Sequence, residues 1–249
     1  MKNRSCTFLA VAMLVAGASL ARAQMPGSPD TGMFSASLRK ILGQHNAFSA
    51  TTDVHIFNKA GQETTAMTMG FSTLAGNARI DVDTSALRTK DVAPEVIAQF
   101  KTLGMDKMVT IVRPDKKLSY VIYPGLKSYA ELPMSAEEAA ARFEDLTMTK
   151  AVQGKETVDG HPTQKTKVVV TNKNREAKEY LVWYATDLKD FPVKLQMTEG
   201  PTTMVMSFRD IKSTAPEAKQ FEAPAGYIKH PSIEQLVQAE IMKRMGAGK

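Results

Sequence analysis

Residues 177–227 read AKEYLVWYATDLKDFPVKLQMTEGPTTMVMSFRDIKSTAPEAKQFEAPAGY, and this stretch decides the expected fold. Turn-forming residues interrupt it at Asp187–Asp190 and at Gly200-Pro201, and so separate three runs of strand-forming residues. We therefore predict an antiparallel meander whose strands are Glu179–Thr186, Phe191–Glu199 and Thr202–Asp210. Large apolar residues alternate along the second and third strands, so one face of the meander is expected to be apolar.

The rest of the chain predicts more short strands and only four helices. The further strands are Phe48–Asn58, Thr64–Thr73, Asn77–Asp83, Lys107–Arg113, Lys117–Tyr123, Lys127–Leu132, two short strands within Met148–Thr166, and Lys165–Thr171. The helices are Met33–Gln44, Asp91–Thr102, Ser135–Asp145 and Ser232–Met245. Many hairpins and few helices predict an α+β fold: a single large curved antiparallel sheet, or open half-barrel, with helices packed on its concave face.

The first 23 residues have the features of a secretory signal peptide. Lys2 and Arg4 precede an apolar run over Thr7–Leu20, and Ala21-Arg22-Ala23 is a small-x-small cleavage site. We expect cleavage after Ala23 and localisation in the periplasm. The only cysteine, Cys6, leaves with this peptide. The mature chain therefore has no thiol for a disulfide, a nucleophile or a metal ligand.

The charge of the mature chain is modest. Loss of three basic residues and no acidic residue with the signal peptide lowers the formal net charge from +6 to +3. Dense Lys/Arg runs of the kind that bind nucleic acid are absent from the sequence, so no nucleic-acid partner is expected. No later apolar stretch reaches the ~18 residues that a transmembrane helix needs.

Composition and periodicity divide the chain into four parts. After the signal peptide (1–23), residues 24–33 are rich in Pro, Gly and polar residues and are expected to form a flexible leader. Residues 34–230 are expected to form one domain, and residues 231–249 an amphipathic C-terminal helix. Two roles for this helix stay open: a lid packed on the sheet, or an anchor to an anionic membrane surface through its basic and apolar residues.

The order of elements resembles that of the periplasmic lipoprotein-carrier superfamily, the LolA/LolB-like proteins. The likeness lies in the segments TDLKDFPVKLQM and MVMSFRDI, in the closing Phe221 and Pro224–Tyr227, and in Tyr123–Tyr129, which is similar to a poorly characterised secreted branch with that fold. The resemblance implies a half-barrel whose concave face holds acyl chains under a lid of helices. The implied partner is a lipid or an acylated ligand.

Methionines mark the candidate binding surface. Met67 and Met69 lie two residues apart on a predicted strand, as do Met204 and Met206, so each pair shares a face. Flexible, polarizable thioethers suit a surface that must fit variable apolar ligands. The residues expected to line this surface are Met67, Met69, Phe71, Ile80, Val82, Tyr120, Ile122, Leu195, Met197, Met204 and Met206.

Other functions stay open beside lipid binding. The same methionines could serve only as core packing, with the fold acting as a non-catalytic envelope interaction or sensor module for a protein partner. Thioethers also bind reduced copper, but the four histidines are scattered away from the Met pairs. The sequence contains no Gly-x-Ser-x-Gly elbow and no His-Glu-x-x-His helix, so catalysis is the least favoured function and no cofactor is expected.

Overall fold

The structure is a computed structural model that describes residues 31–90, 92–134 and 145–247, with side chains described from residue 36 to residue 243. Within these ranges it contains three α-helices, α1 (Thr31–Leu42), α2 (Pro94–Thr102) and α3 (Ile233–Ala247). The first six strands are β1 (Ala47–Phe57), β2 (Glu63–Leu74), β3 (Asn77–Asp83), β4 (Arg88–Thr89), β5 (Lys107–Arg113) and β6 (Leu118–Tyr123). The others are β7 (Ser128–Pro133), β8 (Thr147–Val158), β9 (His161–Thr171), β10 (Ala177–Ala185), β11 (Phe191–Glu199), β12 (Thr202–Lys212) and β13 (Ile228–His230).

All thirteen strands belong to one sheet, which is curved and does not close. Its order is β13-β7-β6-β5-β3-β2-β1-β12-β11-β10-β9-β8, with β4 paired to β2. Every pairing is antiparallel except that of β13 with β7. The centre of the sheet joins β1 to β12, so the two halves of the chain meet there. The expected α+β fold with one large open antiparallel sheet is confirmed.

Most predicted strand bounds agree with the structure to within two residues. The region 148–171 is different, because three strands were expected and two long ones are present, β8 and β9. The first helix begins at Thr31, inside the expected leader, and α2 begins at Pro94 rather than Asp91. The signal peptide and the predicted Ser135–Glu144 part of the third helix lie outside the described residues.

All three helices pack on one side of the sheet. Buried side chains of α1 lie in the large central core with β1, β2 and β9–β12; they are Ala36, Leu38, Ile41 and Leu42. Ile233 and Leu236 of α3 pack with β5–β7, and Phe100 of α2 lies at the border of the same cluster. The side of the sheet that these helices cover is called the helix-bearing face.

The opposite face is crossed by residues 213–227, which lead from β12 in mid-sheet to β13 at the edge and are called the crossing segment. Phe221 of this segment is 1% exposed and packs with residues of β5 and β6. Arg79 and Arg113 hold the segment by donating hydrogen bonds to the carbonyl oxygens of Gln220 and Phe221, each at 2.9 Å. Both faces of this half of the sheet are therefore partly covered.

Candidate ligand-binding face

Four neighbouring rows of side chains run across the central strands on the helix-bearing face. Residues that pair across antiparallel strands share a face, so the register fixes each row. The rows are Ile80–Phe71–Ala50, Val82–Met69–Thr52–Phe208, Met67–Val54–Met206–Leu195 and Ile56–Met204–Met197. These rows bring together nine of the eleven residues predicted to line the ligand surface. They also contain Val54, Ile56 and Phe208, which the sequence prediction of the site left out.

Tyr120 and Ile122 do not share this surface, and their assignment to it was wrong. Tyr120 pairs with Ile111, which pairs with Arg79, so Tyr120 lies on the face opposite Ile80. Ile122 lies on that same face, and both side chains pack with Phe221 of the crossing segment. The neighbouring residues Val121 and Tyr123 are the ones that face the helices. The alternation of apolar and polar residues could not show which face Tyr120 and Ile122 occupy, because both faces of β6 are apolar.

Helix α1 fills one end of the rows. Its residues Arg39 and Leu42 line a cavity of about 250 Å³ together with Thr73, Ala75 and Gly76, which places α1 near the β2–β3 turn. At this end Phe48 contacts the rings of Phe71, Phe191 and Phe208 at centroid distances of 4.9 to 6.3 Å. Tilted and edge-to-face aromatic pairs of this kind stabilise a well-packed core. We conclude that this end of the face is occupied by the chain itself.

The other end of the same strands is less completely covered. Ile56, Met67, Met69 and Met204 are half-buried and pack against the margin of the core, although Val54 and Met206 beside them are 4% and 6% exposed. This group of four is called the methionine patch. It presents three flexible thioether side chains and one branched aliphatic side chain, so it is the part of the face that an apolar ligand could reach first.

Buried hydroxyl groups interrupt the apolar interior on this side. Thr52 and Ser37 are both 0% exposed, and within the described part of the chain neither hydroxyl has a hydrogen-bond partner. The hydroxyl of Tyr184 is also buried without such a partner, and burial raises the pKa of Tyr184, which keeps it neutral. An unpaired buried hydroxyl costs free energy, so these three groups destabilise the fold as long as no polar atom reaches them.

The described histidines lie apart from the methionine patch. His55 belongs to β1 but lies on the opposite face, where its Nδ1 is 2.6 Å from Glu63 Oε2. His161 Nδ1 is 2.8 Å from Asp187 Oδ2, and His45 Nε2 is 3.1 Å from the carbonyl oxygen of Lys189. Within the described ranges, no group of three or more His, Cys, Asp or Glu residues could hold a metal ion. Copper binding would therefore depend on thioethers alone.

A second cavity, of about 380 Å³, lies at the end of the β8–β9 hairpin and is formed mostly by residues of polar type. Its residues are Lys155, Glu156, Thr157, Pro162, Thr163, Gln164 and Thr186. Trp183 lies nearby on the face opposite the helices, with Lys165 Nζ at 5.1 Å and Lys194 Nζ at 4.6 Å from its ring centre. Its Nε1 donates a hydrogen bond to Glu156. Neither this cavity nor the one beside α1 contains a residue of the methionine patch.

Helix α3 is packed at its beginning and exposed towards its end. Ile233 and Leu236 are each 1% exposed, whereas Ile241 is 39% and Met242 is 65% exposed. Among the described side chains of this helix, those of its first turns pack on the sheet and those at 241 and 242 are exposed. None of the helices in the described ranges is both long enough and apolar enough to span a bilayer.

Comparison with solved structures finds proteins of similar architecture. The lipoprotein LppX of Mycobacterium tuberculosis is 13% identical over 73% of this chain and 96% of its own, with a TM-score of 0.40. LprF of Mycobacterium bovis is 11% identical over 79% of this chain and 97% of its own, with a TM-score of 0.42. A LolA superfamily protein of Nitrosomonas europaea is 11% identical over 77% of this chain and 96% of its own, with a TM-score of 0.35.

These likenesses concern the fold alone. No protein-family model matches the chain, and no curated protein matches its sequence.

Proposed function

We propose that this chain is an exported envelope protein that holds a lipid or another acylated ligand on the helix-bearing face of its half-barrel. The observation that carries the proposal is the methionine patch. Its four side chains continue rows of fully buried residues, yet they are themselves only half-covered. The predicted signal peptide supports the periplasmic location.

The chemistry of the patch suits an acyl chain. Removing a methylene group from water contributes ~0.8 kcal/mol, so one fatty chain supplies useful affinity without polar recognition. Met67, Met69 and Met204 can change rotamer to follow chains of different length or saturation. The buried hydroxyl of Thr52, which pairs with Met69 of the patch, offers a partner for an ester or carboxyl oxygen at the inner end of such a ligand. The proposed function is binding and carriage, with no catalytic step.

Native mass spectrometry on protein purified from its own export compartment tests the proposal. We expect an added mass that organic extraction releases and that fragments as an acyl lipid. A more specific version of this experiment compares the wild type with the double variant Met67→Glu/Met204→Glu, which places two charges in the patch. Persistence of the same lipid mass in the folded double variant would exclude the patch as the binding surface.

One observation favours a second candidate, an interaction module whose partner is a protein. Four apolar side chains of α1 are already buried on the face, at 3% to 8% exposure, so the chain partly fills its own half-barrel. The exposed Ile241 and Met242 of α3 offer apolar contacts for an envelope protein or for a membrane surface. A bare mass in the experiment above, together with a partner recovered by cross-linking from position 242, would favour this candidate.

A further inference from the structure

Strand β8 forms one edge of the sheet and is open to solvent along nearly its whole length. Among the described strands it pairs with β9 alone. Every residue from 149 to 157 is exposed, and Val152 is 60% exposed. The opposite edge is different, because β13 is only three residues long. Short edge strands are a common protection against unwanted pairing, and β8, with twelve residues, does not use it.

The free edge of β8 offers backbone groups to a further strand. In an antiparallel pair, alternate residues direct their N–H and C=O groups towards the partner, so the remaining residues of β8 direct theirs away from β9. Twelve residues extend over roughly 40 Å at ~3.4 Å per residue. An extended peptide can add to such an edge through main-chain hydrogen bonds, while side chains determine which peptide is chosen.

The side chains in the middle of β8 that share the helix-bearing face are basic and apolar. Lys150, Val152 and Lys155 pair with Val168, Thr166 and Gln164, which alternate along β9 and therefore lie on one face. The irregularity between Val152 and Gly154 brings Lys155 onto this face. Lys150 Nζ lies 4.2 Å from the ring centre of Tyr184. No ion pair among the described residues includes either lysine.

The acidic residue of β8 is already engaged on the other face. Glu156 accepts a hydrogen bond from Trp183 Nε1, and its Oε1 is 3.7 Å from Lys165 Nζ. The positive charge of Lys150 and Lys155 is therefore the unbalanced charge of this edge. A second copy of the chain would present the same two lysines, and like charges facing each other across a strand pair are destabilising.

We infer that the free edge of β8 binds an extended acidic segment of a partner protein by strand addition. Carboxylates of that segment meet Lys150 and Lys155, and an apolar residue between them covers Val152. This site uses the sheet edge and not the methionine patch, so its test is independent of lipid binding.

Two synthetic peptides of ten residues test this site. Both peptides alternate Thr and Val. The acidic peptide carries two Glu residues four positions apart, and the basic peptide carries Lys at the same two positions. This spacing equals that of Gln164 and Val168, which pair with the two lysines of β8. Fluorescence anisotropy at low salt is expected to show binding of the acidic peptide roughly tenfold tighter than that of the basic peptide. Hydrogen exchange should show new protection at alternate amides within residues 147–158.

Charge reversal supplies the matched variants. Lys155→Glu should weaken the acidic peptide several-fold, and Lys150→Glu/Lys155→Glu should reverse the preference between the two peptides. Lys219→Glu, at a side chain that is 82% exposed on the crossing segment, should leave the preference unchanged. Four results would each overturn the inference. These are equal binding of both peptides, an unaltered preference in the folded Lys155→Glu variant, protection outside residues 147–158, and a dimer held by β8 in the absence of peptide.

Discussion

The guanidinium of Arg113 donates a 2.9 Å hydrogen bond to the carbonyl oxygen of Phe221, 108 residues later in the chain. The same guanidinium bonds Asp115 through both its Nε, at 2.9 Å, and its Nη2, at 2.7 Å, and it contacts Glu222. Arg113 is only 7% exposed, so its charge is compensated by these neighbours rather than by water. This side chain fastens the crossing segment to β5, as Arg79 fastens it to β3.

Replacing Arg113 by Met should loosen the crossing segment and destabilise the protein. The variant loses hydrogen bonds in which one partner is charged, and we expect the free energy of unfolding in urea to fall by about 2 kcal/mol. Arg209→Met is the matched control, because Arg209 pairs with Asp53 at 2.6 Å on an exposed surface and should cost much less. Equal losses in the two variants would contradict the fastening role of Arg113.

The attachment of the crossing segment should depend on pH. Hydrogen bonds from Lys116 and Arg113 lower the pKa of Glu222, and the hydrogen bond from Arg113 lowers the pKa of Asp115. A lowered pKa in the folded state stabilises the fold above the unfolded pKa, and this stability is lost as the pH falls through the folded pKa. Hydrogen exchange of residues 213–227, corrected for intrinsic rates, should therefore rise below about pH 4.

Glu222→Gln provides the control for this pH dependence. The amide cannot titrate, so the exchange of the crossing segment should vary less with pH in this variant, and Asp115 alone should account for the remainder. A profile identical to that of the wild type would show that Glu222 does not couple protonation to this contact.

The hydroxyl of Thr52 is expected to make the protein less stable than it could be. It is fully buried in a row between Met69 and Phe208 and has no partner among the described residues. Thr52→Val keeps the shape of the side chain and removes the unpaired group, so the free energy of unfolding should rise by about 1 kcal/mol. Thr73→Val should lower the free energy of unfolding, because the Thr73 hydroxyl donates a 2.8 Å hydrogen bond to the carbonyl oxygen of Asn77.

The turn between β6 and β7 has no space for a side chain at Gly125. A Cβ atom there would overlap the carbonyl oxygen of Gly104, at the end of α2, and this oxygen is backbone that cannot rotate away. We expect Gly125→Ala to lower the free energy of unfolding by about 1–3 kcal/mol. Gly154→Ala, on the open edge strand, meets no atom within 4 Å and should be neutral or slightly stabilising.

Charges in the methionine patch should abolish uptake of an apolar ligand. The double variant Met67→Glu/Met204→Glu is expected to lose at least about tenfold in affinity for a fluorescent fatty acid such as parinaric acid, since a buried chain would desolvate both carboxylates. Gln196→Glu is the control, because Gln196 pairs with Val205 on the opposite face and its charge stays in solvent. Equal loss in the control would indicate a general electrostatic effect and remove the support for the patch.

Particular residues show which parts of the fold and of the candidate site the sequence could predict. The strands Asn77–Asp83 and Phe191–Glu199 were predicted with the bounds they have, because turn residues mark both ends. Strand β13 was missed, since three residues paired in parallel with β7 carry no local pattern. Tyr120 was placed on the wrong face because helices cover one side of β6 and the crossing segment covers the other. Long-range packing, which spacing along the chain does not encode, decided these cases.

The pairing of β1 with β12 has a consequence for the timing of folding. Asp53 and Arg209, which bond across this pair, are 156 residues apart, whereas most other neighbours in the sheet are successive hairpins. Each half can assemble from local contacts, but the seam between them closes only when β12 is available. Distant contacts of this kind slow folding. We expect the last kinetic phase of refolding to report the closure of this seam, with the hairpins on either side formed before it.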